Sequence, residues 1–223
     1  MNEAIGQSLP FAVGVGLSPI PIIAVVLMLA TPRARVNGPA FLVGWVVGLA
    51  IVGGIVLVVA GGLDATGVDG PATWVSVLML VLGALLVLLG VKQWRGRPRG
   101  DEAAALPKWM TTIDHFGPGK AVGFGALLSG ANPKNLLLTV GAAAAIGQTG
   151  IEAGQETIAL AVFIAVGSIG VGGPIVIYFV LGERSQKLLD ALKSWMAANN
   201  AVIMAVLILV IGAKLVGDGI SGL

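Results

Sequence analysis

The chain has 223 residues, 57% of them hydrophobic and only 11% Lys, Arg, Asp or Glu, with a net charge of +2. Its mean hydropathy of +0.97 excludes an ordinary soluble domain. The absence of cysteine excludes disulfides, thiol redox chemistry and thiolate metal sites, and the lone His115 cannot form a histidine cluster, so neither metal nor cofactor is expected.

Several apolar runs exceed the roughly 20 residues that cross a hydrocarbon core, and they do not alternate as barrel strands do. The fold class is therefore all-α membrane protein, multi-pass, in the plasma membrane. Six spans are predicted at about 5–30, 38–61, 72–92, 121–146, 154–181 and 199–220. No Lys or Arg precedes Arg33, so the first run lacks the basic flank of a cleaved signal and reads as a retained span.

In the first span, Ser18, Pro19 and Pro21 sit mid-membrane. Each proline removes a donor and frees carbonyls that need partners or a polar cavity. The segment is a plain kink or a discontinuous helix on a substrate path. In the second span, Gly44 and Gly48 offer a small packing face, and Gly53 and Gly54 a hinge or a close contact. Lys92 ends the third span, where it can snorkel to the interface.

The fourth span contains the oddest stretch, "SGANPKN", with Ser129, Asn132, Pro133, Lys134 and Asn135. A half-helix starting near Pro133 presents unpaired N–H groups and a positive dipole end. Lys134 adds a full charge, and the asparagines add amides. Together they suit an anionic group such as a carboxylate or phosphate. Lys134 follows Lys120 by 14 residues, about 21 Å of helix, beyond the full reach of snorkelling. It is a site or gate residue, or an interfacial lysine if the span begins later. In the fifth span Gly172, Gly173 and Pro174 form a second hinge candidate, with Pro174 expected to kink it. Tyr178 belongs at the interface. In the sixth, Lys214 is either paired with Asp218 at i,i+4 or an outer substrate contact.

The connectors alternate in charge. Arg33 and Arg35 follow the first span, Asp64 and Asp69 the second. Arg95, Arg97, Arg99, Lys108 and Lys120 dominate the third connector. Glu152 and Glu156 follow the fourth span, and Arg184, Lys187 and Lys193 the fifth. By the positive-inside rule the first, third and fifth connectors are cytoplasmic and both N- and C-termini lie outside. The basic third connector, flanked by Trp94 and Trp109, sets topology or touches anionic head groups, and carries no nucleic-acid signal.

The halves echo each other in order: "AVGVGLSPIP" with "AVGFGALLSGANPKN", "VGGIV" with "VGGPIV", "VLLGVK" with "LVIGAK". The expected organisation is a first three-helix repeat at 1–92, a basic cytoplasmic connector at 93–120 and a second repeat at 121–223. An odd number of spans per unit inverts the second copy, as in many secondary transporters. With clustered acid, base and metal groups lacking from the spans, an enzyme is not expected. No span holds a deep carboxylate, which weakens proton antiport and bare-cation export.

The "SPIP" of the first span and the "NPKN" of the fourth resemble the paired motifs of the LysE-type transporter superfamily. Within it the chain is most similar to the GAP or sulfolipid-1-addressing group. The likeness spans essentially the whole chain and rests on Ser18, Pro19, Pro21, Asn132, Pro133, Lys134 and Asn135. It implies movement of a glycolipid towards the cell surface. Three readings follow: a transporter or flippase for an anionic amphipathic lipid, an exporter of small amino-acid-like solutes, and a non-transporting scaffold for a lipid-synthesis or export complex. No P-loop is present, so the energy would come from a gradient or a partner. A homodimer is expected from the small size and glycine-rich faces.

Overall fold

A computed structural model describes residues 1–64, 73–96, 113 and 115–223. The basic run Arg97–Lys108 of the third connector, Trp109 and Asp69 lie outside the described residues.

Proline sets the first feature of the architecture. Helix α1 (Asn2–Gly16) stops two residues short of Pro19, and α2 (Pro19–Leu29) starts on it, the pair bent by 52°. Pro19 and Pro21 occupy the first turn of α2, where a backbone N–H would have no helical partner anyway. Helices α3 (Ala34–Asp64) and α4 (Thr73–Arg95) follow. Next, α5 (Pro118–Ala126) widens into a π-turn at Leu127–Ala131, and Asn132 separates it from α6 (Pro133–Gly147). The chain closes with α7 (Ala153–Gly167), α8 (Ile169–Leu181), a short 3-10 turn and the 37-residue α9 (Ser185–Ser221).

Among the described residues the structure is all-helical. Three of the described stretches are long and apolar enough to cross a membrane, Ala34–Val59, Ser76–Arg95 and Ile169–Ser221, and the bent α1–α2 pair is a fourth if it counts as one span. Two expectations change. The predicted fifth span, 154–181, is interrupted at Ser168 between α7 and α8, six residues ahead of Pro174, which lies buried inside α8. The predicted sixth span, 199–220, lies inside the longer helix α9, which starts at Ser185, so Lys187 and Lys193 sit on helix rather than in a loop. Only Gly182–Arg184 turns the chain there, with Gly182 at φ 54°, a conformation that favours glycine.

The half-helices α2 and α6 form the centre. Nine residues of α2 and ten of α6 are buried. Around them α3 lies against α5, α1 against α7, and α4 antiparallel to α9. Small residues make these approaches possible, as membrane helices require. A Cβ on Gly44 would strike the Val122 carbonyl, and one on Gly125 the Phe41 carbonyl. Gly83 and Gly212 are reciprocal: a Cβ on either would lie about 3 Å from the other's carbonyl oxygen. Outward, α3 presents Val43, Val47, Ile51 and Ile55, an apolar stripe suited to lipid.

Candidate functional site

The two breaks meet. At the first, the prolines leave α1 with carbonyls that the chain cannot pair. The Ser18 N–H reaches Val15 O at 3.3 Å, and Pro19 has no N–H, so Gly14 O loses its helical donor. The Ser18 hydroxyl folds back on Val15 O at 2.7 Å.

At the second break, Asn132 is extended (φ −67°, ψ 121°), as a residue before proline tends to be. Its Oδ1 accepts the Lys134 N–H at 3.1 Å, capping α6. The Asn132 N–H reaches back five residues to Leu127 O at 3.1 Å, closing the π-turn. That choice, and the missing N–H of Pro133, leaves Leu128 O unclaimed by the backbone, and Asn135 Nδ2 takes it at 2.9 Å.

Lys134 then crosses to the other break. Its Nζ donates to Gly14 O at 2.7 Å and to Ser18 Oγ. Ser18 Oγ lies 2.9 Å from Asn135 Oδ1 as well as beside Val15 O, one hydroxyl proton shared between two acceptors. The cluster is shut inside the protein: Lys134 is 4% exposed, Ser18 3% and Asn135 0%. Among the described residues Lys134 has no carboxylate partner. Its counter-charge is the negative, C-terminal end of the α1 dipole.

On its other side the cluster borders an open cavity, a cleft of about 430 Å³ between the C-terminal end of α4, the start of α6 and the middle of α9. Lys92, Gln93, Asn132 and Lys134 supply polar groups, and Leu89, Met204 and Ile208 an apolar wall. An ammonium has three N–H donors, and two of those on Lys134 are engaged, leaving one. The arrangement is an apolar-walled pocket with two cations, chemistry that suits an acidic group carried on an apolar body.

The structure brings Ser18, Asn132, Pro133, Lys134 and Asn135 together, with Pro19 beside them. It sets other candidates apart. Ser129 bonds Ala126 O at 3.1 Å and faces Gly48 of α3. Pro21 is buried in α2. Lys214 is ion-paired with Asp218 and sits 5.2 Å from the centre of the Phe11 ring, outside the cavity's lining. Gly53 and Gly54 lie in unbroken α3, where Gly53 packs on Leu160; Gly172 and Gly173 lie in α8. Sequence reasoning missed Gly14 and Leu128, which act through backbone carbonyls and carry no side-chain signal. The signal was indirect: a carbonyl four or five residues before a proline loses its donor. Lys92 was read only as an interfacial anchor.

Among the described residues, apolar helices long enough to cross a membrane mark a membrane-associated protein of the helical class. Within that class the chain belongs to the sulfolipid-1-addressing protein (Sap) family, whose model matches residues 9–221. No curated protein and no solved structure matches it.

Proposed function

We propose that this chain is a secondary transporter or flippase that moves an anionic amphipathic lipid or glycolipid across the plasma membrane. It would work as six spans in two inverted three-helix halves, 1–92 and 121–223, with both termini outside. The observation that carries the reading is the cavity beside the meeting breaks, which pairs Lys92 and Lys134 with an apolar wall. A sulfolipid, the molecule in the family's name, is an acidic amphiphile and matches that lining. At about 430 Å³ the space fits a head group, and the acyl chains would stay outside it.

Reciprocal packing supports the inverted halves. Helix α3 of the first half lies on α5 of the second, α7 of the second lies on α1 of the first, and Gly83 meets Gly212 where α4 and α9 cross. Rocking of one half against the other around the breaks would expose the cavity to each side in turn. The cavity's size also suits an amino-acid-like solute, which keeps the small-solute exporter as a second reading.

The test uses vesicles holding the purified protein and a sulfated lipid labelled on its head group, read by quenching of the outer leaflet. Wild-type protein should equilibrate the label between leaflets, and Lys92→Ala should slow it about tenfold, the worth of one charge-assisted hydrogen bond. Equal rates with and without protein would sink the lipid reading. Efflux of an amino acid from the same vesicles would install the second.

A further inference from the structure

Gly14 O is an acceptor that its own helix has abandoned, at the negative end of a half-helix dipole and next to a serine hydroxyl. In broken membrane helices, such carbonyl ends are the chemistry that holds a bare monovalent cation. Here the position is already filled, by an ammonium carried on the opposite half. We infer that Lys134 is a tethered counter-cation: it does for the first break what a free sodium, potassium or ammonium ion would otherwise do, and by its tether it latches the two halves together.

Four observations converge on this. The Lys134 Nζ sits 2.7 Å from Gly14 O and also donates to Ser18 Oγ, so it is coordinated by oxygens of the other half. Among the described residues no carboxylate neutralises it, so carbonyl and hydroxyl dipoles do. The group is 4% exposed, which commits it to these partners. Asn135, the next residue, reaches the same Ser18 at 2.9 Å, so two consecutive residues of α6 serve one break.

Two consequences follow. The resting protein needs no coupling cation at this break. Opening the halves requires Lys134 to leave Gly14 O, and an acidic head group in the adjoining cavity competes for the same ammonium. The second consequence rests on the transport reading; the first stands on the geometry alone.

Deleting the side chain should leave a cation-sized vacancy reachable from the cavity that Lys134 lines. Lys134→Ala would be purified and melted in n-propylammonium chloride and in tetramethylammonium chloride at equal ionic strength. Propylammonium carries N–H donors and a short stem; tetramethylammonium carries the charge without donors. The expected result is a melting temperature higher by about 3–6 °C in propylammonium for the variant, and no difference for the wild type. If the variant is too unstable to purify in ordinary salt, recovery of folded protein only in propylammonium counts the same way. Equal melting, or equal loss, in the two salts overturns the inference. Adding Ser18→Ala to the variant should shrink the propylammonium effect, because one of the oxygens is gone. In vesicles, wild-type lipid movement should be unchanged when sodium or potassium is replaced by N-methylglucamine, and dependence on a small cation would overturn the inference. If wild-type protein moves no lipid, the transport reading falls while the melting difference still stands.

Discussion

The two helix breaks are made by the same residue type and have opposite chemistry. At the first, α1 ends in surplus acceptors, Gly14 O and Val15 O, and the Ser18 hydroxyl donates to the second of them. At the second, α6 begins with a surplus donor, the Lys134 ammonium; the Asn135 amide N–H is spent on Leu128 O of the same break while its Oδ1 accepts from Ser18, and Asn132 caps the turn. A helix C-terminus is short of donors and an N-terminus short of acceptors, so neither break closes its account alone. Set against each other, they do. Polar groups that would be expensive to leave unpaired among apolar helices become the bond between the two breaks.

The largest effect lies on the donor side. Lys134→Met keeps the stem and removes the ammonium, stranding Gly14 O. The expected loss is about 3 kcal/mol, a melting temperature lower by about 6–12 °C. A melt within a degree of wild type would mean that the first break pairs itself by other means. Asn135→Leu touches both breaks, since Nδ2 serves Leu128 O and Oδ1 faces Ser18. It should lower stability by about 2 kcal/mol. Its effect should also be non-additive with Ser18→Ala in a double-mutant cycle, where strict additivity would show that the pair is uncoupled.

Asn132→Ala removes only the cap of α6 and should cost about 1 kcal/mol, read by the same melt, with the first break untouched. The smallest effect belongs to Lys214→Ala. Its pair with Asp218 is partly exposed and joins residues of one helix, so the change should stay within about 0.5 kcal/mol. A large loss there, or a loss of lipid movement, would restore Lys214 as a functional contact.

Several elements were legible from residues alone. Long apolar runs announced membrane helices, because hydrocarbon length fixes how many apolar residues a span needs. Pro19 and Pro133 marked where helices start, because proline tolerates only the first turn. Other features were not legible. The π-turn at Leu127–Ala131 carries no residue that demands it, and it arises from how Asn132 reaches Leu127 O. The interruption at Ser168 was masked by Pro174, the louder signal six residues on. Gly16, Gly167 and Gly170 allow α1 to press on that junction, a contact between residues some 150 positions apart.

Composition, run length and proline act locally, so a helical membrane protein with helices broken at "SPIP" and "NPKN" could be read from the residues without their packing. The sequence also marked Lys134 as out of place in an apolar segment, and offered an anionic ligand as its partner. Which group the lysine meets was settled by tertiary packing. The partner is a backbone carbonyl 120 residues earlier, and a carbonyl acquires its role from where its helix stops and what then packs against it. The same packing set Lys92 beside Lys134 at one cavity and left Lys214 outside it. Placement in space, rather than residue type, separated lysines that composition alone counts as equal.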